Sequence, residues 1–165
     1  MKRFIATAVA LAGAAALFGL ASTTEMAPNI EGTYELVRRE LPNGAVQKAP
    51  DVIGLLTFTR ERRNFNVFWT DADGRRCSIG AISEYSLTDD EYMEKNIYYC
   101  INDETEGTGV NYDVSSMSAR SPVTKERGAL HFTLPLHNEP KVVFTPDGFT
   151  ATREGEFVDH WKKIK

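Results

Sequence analysis

Residues 53–87, IGLLTFTRERRNFNVFWTDADGRRCSIGAISEYSL, read as three strands separated by two turns. Ile53 to Arg60 is rich in apolar and threonine side chains, the turn Glu61 to Arg63 follows, and Asn64 to Thr70 puts Phe65, Val67 and Trp69 on one side. These two strands are expected to pair. Asp71-Ala72-Asp73-Gly74 then turns the chain into Arg75 to Leu87, whose odd positions are Cys77, Ile79, Ala81, Ser83, Tyr85 and Leu87 and whose even positions are mostly polar. Such alternation belongs to an antiparallel strand with one face in the core and one in water.

The same pattern continues on both sides. Gly32 to Glu40 alternates Tyr34, Leu36 and Arg38 on one face, and Pro42-Asn43-Gly44 supplies a tight turn because Asn and Gly both tolerate positive φ. Downstream, Thr88 to Asp90 reverses the chain into Glu91 to Asn102. The acidic segment Asp103 to Gly109 has the composition of a rim loop and leads to Val110 to Met117. Ala129 to Leu134, Lys141 to Thr145 and Phe149 to Glu154 follow between Pro- and Gly-bearing turns, and Phe157 to Ile164 suits a last strand or a short helical turn. Eight to ten short strands with no intervening helix predict an all-β, antiparallel up-and-down barrel over residues 30–165.

The start of the chain reads differently. Met1-Lys2-Arg3 precedes an apolar, Ala-rich run from Phe4 to Leu20 and then small residues, the layout of a secretory signal peptide over residues 1–21. Gly19 and Ala21 occupy the two positions that must be small, so cleavage is expected after Ala21, with 22–29 as a short linker. The alanines and Gly13 make the run weakly hydrophobic for a permanent anchor. A secreted or periplasmic protein with no stable membrane anchor is expected. Removal of Lys2 and Arg3 takes the formal charge from −4 to about −6, which disfavours nucleic acid as a partner. Arg60, Arg62, Arg63, Arg75 and Arg76 crowd two turn regions, and Asp89, Asp90, Glu91, Glu94, Asp103, Glu104 and Glu106 crowd the middle. Both clusters are expected to be solvated surface.

Both cysteines lie in the mature portion, and an oxidising compartment favours a structural disulfide between Cys77 and Cys100. If Thr88-Asp89 is a two-residue hairpin loop, antiparallel counting brings Cys77 directly opposite Cys100. The bond would then stabilise the fold by roughly 3 kcal/mol. That register turns Tyr92, Asn96 and Tyr98 inward, whereas a slip of one residue turns Met93, Ile97, Tyr99 and Ile101 inward, and a bulge would reconcile the two.

Gly32-Thr33-Tyr34-Glu35-Leu36-Val37-Arg38, Gly44, Pro50 and Ile53-Gly54-Leu55-Leu56-Thr57-Phe58-Thr59, with Trp161-Lys162-Lys163 near the end, resemble the bacterial lipocalin-like domain proteins. In lipocalins a Trp in the opening Gly-x-Trp closes one barrel end beneath a basic residue from the last strand. Tyr34 stands at the Trp position here, with Lys162 or Lys163 as the basic residue. The resemblance implies a barrel with an apolar cavity, open at one end, holding a small hydrophobic or amphipathic molecule. Tyr34, Phe58, Trp69, Ser83, Tyr85, Tyr98, Phe132 and Phe144 are the candidate cavity residues, the polar tips among them providing the few hydrogen bonds that pockets use.

No catalytic, metal or cofactor motif stands beside this. His131, His137 and His160 have no ligand spacing, Ile82 occupies the place where a calcium loop would carry its closing Glu, and no nucleophile elbow or phosphate loop is present. Three roles follow: a carrier or sensor for a small apolar or amphipathic ligand; an interaction module with a filled barrel; and an isomerase- or cyclase-type enzyme. The enzyme would use Tyr85, Tyr98 or a buried carboxylate as its acid and would need a convergent polar cluster inside the barrel.

Overall fold

A computed structural model describes residues 28–71, 73–105, 107 and 109–164. The expected signal peptide lies outside these residues. Every regular element described is a strand: β1 Gly32–Glu40, β2 Val46–Gln47, β3 Val52–Phe58, β4 Arg62–Thr70, β5 Arg76–Leu87, β6 Glu91–Asp103, β7 Gly109–Asp113, β8 Ser118–Pro122, β9 Thr124–Glu126, β10 Ala129–Thr133, β11 Lys141–Thr145, β12 Gly148–Arg153 and β13 Phe157–Lys163. The C-terminal segment is thus a strand, and the short β2, β8 and β9 carry too few alternating residues to stand out in the sequence. No described helix is long and apolar enough to cross a membrane.

The strands form one antiparallel sheet in the order β7-β6-β5-β4-β3-β1-β13-β12-β11-β10-β9, with β2 beside β1 and β8 beside β6. First and last strands are neighbours, Tyr34 facing Lys163. The sheet curls into a half-barrel; β8 pairs with β6 and β9, one residue further on, pairs with β10, so the segment Ser118–Glu126 carries main-chain pairing to strands near both ends of the sheet. Side chains add to that junction: Ser121 Oγ donates to the Thr133 carbonyl and the Tyr92 and Phe132 rings stack at 4.6 Å.

Two bulges decide which side chains face inward. The β1–β13 register shifts between Leu36 and Arg38, so Tyr34 and Leu36 point into the core and Arg39, not Arg38, continues the inward row. In β6 the shift falls opposite Ile82 and Ser83. Tyr92, Glu94 and Asn96 are buried before it, and Ile97 is the extra, exposed residue.

The same strand pair overturns the expected disulfide. Thr88 N–H donates to the Glu91 carbonyl, so the turn spans four residues and pairs Leu87 with Tyr92. That turn and the bulge together advance the register by three residues, so Cys77 faces Asp103 and Cys100 faces Gly80. An odd offset puts the two thiols on opposite faces of the sheet. Both are free. Burial and the Asp103 carboxylate, to which Cys77 donates at 3.2 Å, push the Cys77 thiol up to about 11. Iodoacetamide applied to the native protein should therefore label Cys100 first and Cys77 only on unfolding, as read by peptide mass spectrometry. Equal resistance of both to labelling, lifted by reduction, would restore the bridge.

Packing beneath β13 is equally specific. A Cβ at Gly54 would lie 2.5 Å from the Trp161 ring and 3.0 Å from Leu36 Cβ, and Trp161 itself is stacked on Phe149 at 5.3 Å. Gly54→Ala is expected to cost about 1–3 kcal/mol in urea unfolding.

Candidate functional site

The interior divides into a filled end and a hollow end. At the filled end, six rings touch in a closed circuit: Tyr34–Phe58 at 6.4 Å, Phe58–Tyr85 at 5.1 Å, Tyr85–Tyr92 at 5.9 Å, Tyr92–Phe132 at 4.6 Å, Phe132–Phe144 at 5.6 Å and Phe144–Tyr34 at 5.7 Å. They come from β1, β3, β5, β6, β10 and β11, so the circuit runs round the whole curl. The Tyr34 hydroxyl donates to the Ile30 carbonyl and that of Tyr85 to the Thr59 carbonyl; burial pushes both phenols up to about 12. Lys163 Nζ stands 5.7 Å from the Tyr34 ring.

The hollow end is a cavity of about 650 Å³. Phe65, Val67, Trp69, Ile79, Tyr99 and Trp161 provide much of its apolar wall. Arg39 lies over Trp69 at 5.1 Å and Phe157 at 4.2 Å while its guanidinium makes a two-pronged ion pair with Asp159, at 2.7 and 2.8 Å. The segment between β10 and β11 covers one side: His137 stacks on Tyr99 at 3.8 Å, and His137 and Asn138 both hold positive φ, 51° and 54°. Such backbone is costly outside glycine and needs fixed neighbours to persist.

Between the two halves lies an ionic cluster. Arg63 is 1% exposed and Glu94 likewise 1%. Arg63 Nη1 reaches Glu94 at 2.7 Å and Glu139 at 2.8 Å. Glu94 also accepts from Ser83 Oγ and, at 3.1 Å, from the Tyr92 hydroxyl. Burial acts to lower the Arg63 pKa, but Glu139 and Glu94 outweigh it and raise the value, so the guanidinium stays charged. Glu139 fares differently. Burial first, and then the Glu94 carboxylate, push it up to about 7, with Arg63 pulling the other way. Arg63 Nε and Trp161 Nε1 are buried donors with no partner among the described residues.

The candidate cavity residues are therefore redistributed. Trp69 lines the cavity. Tyr34, Phe58, Tyr85, Phe132 and Phe144 make the filled end, and Ser83 is held by Glu94. Tyr98, placed inward from the sequence, is corrected by the β6 bulge to the outer face, where it pairs with the exposed Ile82 and lies 6.2 Å from the Tyr112 ring; Tyr99 takes the inward place. Arg63 and Glu94 are likewise corrected from solvated surface to core. Arg62, Arg75 and Arg76 do pair at the surface, with Glu84, Asp71 and Glu104. The missed signal is the period of two: Arg63 continues the row Phe65, Val67, Trp69, and Glu94 lies between Tyr92 and Asn96. Asp103 of the expected rim loop is on the cavity wall, while Glu106 and Thr108 lie outside the described residues. No group of three or more histidine, cysteine or acidic side chains able to hold a metal occurs among the described residues.

No family model, curated protein or solved structure matches the chain.

Because the folded pKa of Glu139 is raised, its contribution to stability is fully present below the ordinary glutamate range and is lost as pH rises through about 7. The urea midpoint should fall between about pH 5 and pH 8, and Glu139→Gln should flatten that fall. An unchanged slope in the variant would place the titration elsewhere.

Proposed function

We propose that this protein is a lipocalin-like carrier or sensor that holds a small hydrophobic or amphipathic molecule in the hollow end of its barrel. The observation that carries the reading is a cavity of about 650 Å³, within the range of small-molecule sites, on an interior whose other end is packed with rings. Aromatic walls give area for an apolar body, and the few charged groups at the base give orientation. Lys163 over Tyr34 supports the lipocalin-like reading, because a last-strand basic residue over an opening aromatic is what that resemblance implies. The filled-barrel interaction module fits less well with a hollow half.

A second reading has a specific observation behind it. An enzyme acting on a cavity-bound substrate needs convergent polar groups inside, and Arg63, Glu94, Glu139, Ser83 and Tyr92 converge. Glu139, poised near neutrality, would be its acid or base. Tyr85 is tied into the filled end and Tyr98 faces outward, so neither suits that role.

The neutral dye Nile red tests the carrier reading. Its emission should shift to the blue and saturate at about one dye per chain, as a single enclosed site requires, and decanol should displace it. Ile79→Trp, which puts bulk on the wall, should weaken dye binding while the urea transition stays cooperative. No saturable binding, or binding indifferent to Ile79→Trp, contradicts a ligand cavity. Decanol recovered unaltered in mass favours carriage; a chemically converted ligand from the native host favours the enzyme.

A further inference from the structure

Resting on the carrier reading, we infer that the preferred occupant is an apolar molecule bearing a protonated amine, seated with its ammonium against Glu139. The reason is an unbalanced charge. Arg63 alone faces two carboxylates, Glu94 and Glu139, at 2.7 and 2.8 Å. All three side chains are at least nine-tenths buried, with Glu139 the most open at 9%. Unpaired charge in such surroundings is expensive, and a fully ionised triad lacks one cation.

The two carboxylates are not equivalent. Glu94 is saturated by Arg63, Ser83 and Tyr92. Glu139 sits on the cavity wall, and its Oε2 receives no hydrogen bond from the described residues, the 2.8 Å approach of Arg63 Nη1 being an ion pair without hydrogen-bond geometry. The atom is covered, so a donor from the cavity completes it by drawing the Glu139 side chain toward that space. Other charges on the wall already have opposite partners: Arg39 with Asp159 at 2.7 Å, Arg153 with Glu156 at 3.0 Å, and Asp71 with Arg75 at 2.8 Å. Asp103 adds a further carboxylate, accepting from Cys77 and Thr105.

Ring faces strengthen the case. Phe65, Trp69, Tyr99 and Trp161 line the same space, and aromatic rings attract a desolvated ammonium. Arg39 over Trp69 and Phe157 shows the protein already using them for a cation. The unpartnered Arg63 Nε and Trp161 Nε1 ask for an acceptor, which a hydroxyl, a carbonyl or a water meets without charge. An anion there would stand in the field of Glu94 and Glu139.

The test uses the mature protein and three ten-carbon probes, decylamine, decanol and decanoate, each displacing Nile red below its micellar concentration at about pH 8, where Glu139 is ionised. Decylamine should bind about tenfold or more tightly than decanol, with decanoate weakest, a difference of about 1.4 kcal/mol per tenfold step. Glu139→Gln should bring the amine-to-alcohol ratio close to one, and Glu139→Asp, which keeps the charge, should retain an amine preference. Equal affinities for amine and alcohol in the unmodified protein overturn the inference and leave the carrier reading standing. Tightest binding of decanoate overturns it in favour of an anion at Arg63 and Trp161. Failure of all three probes and the dye removes the carrier reading itself.

Discussion

Six aromatic rings in a closed circuit of contacts fill one end of the interior that the curled sheet surrounds. Main-chain pairing holds β6 to β1 on one side and β13 to β10 on the other, and between them the segment of β8 and β9 pairs first with β6 and then with β10. At the same junction Tyr92 stacks on Phe132, the tightest link in the ring circuit at 4.6 Å. Each such pair is worth about 0.5–1.5 kcal/mol beyond its buried area, so six together are of the order of a small domain's net stability. Backbone pairing and ring contacts thus hold the curl together, and its filled end is solid.

The hollow end follows from where that circuit stops. Arg63 pairs with Phe58 on one neighbouring strand and Ser83 on the other, placing it at the border of the rings. Its charge forbids further apolar filling, because every hydrogen bond it loses costs more than a packed methyl gains. Glu94, itself bonded by Tyr92, meets it from β6, and Glu139 from the segment between β10 and β11, so one guanidinium ties β4 to two other parts of the chain. Fold and site thus share a single boundary: the ionic cluster terminates the core and forms the base of the cavity.

Much of this was legible in the sequence. The strands from Gly32 to Leu87, the Asn43-Gly44 and Asp71–Gly74 turns and the β3–β4 pairing follow from alternation and turn chemistry, and the chain adopts them. Part of what escaped comes from bulges. A bulge inverts every later side chain on its strand, and neither Val37 nor Ile97 carries a residue type that marks one. Arg38 is accordingly read for Arg39, and Tyr98 stands as a candidate although a bulge bringing Tyr99 inward is an open alternative; Cys77 is set against Cys100 because the turn counts as two residues in the sequence and is four, the bulge adding one more. Arg63 and Glu94 were hidden differently: each lies in a charged run, and composition there argues for water while the alternation argues for the core. Alternation wins because each finds an opposite charge inside. The aromatic candidates were correctly placed inward, apart from Tyr98, but inward position alone does not separate a ring that fills from a ring that lines.

The division of the interior is tested most directly by an electron-density map of the protein purified from its own host. Density from a bound molecule or ordered water is expected between Glu139, Trp69 and Trp161, above a solid layer formed by Tyr34, Phe58, Tyr85, Tyr92, Phe132 and Phe144. Side chains packed through that space, or an Arg63 turned out to solvent, would contradict it.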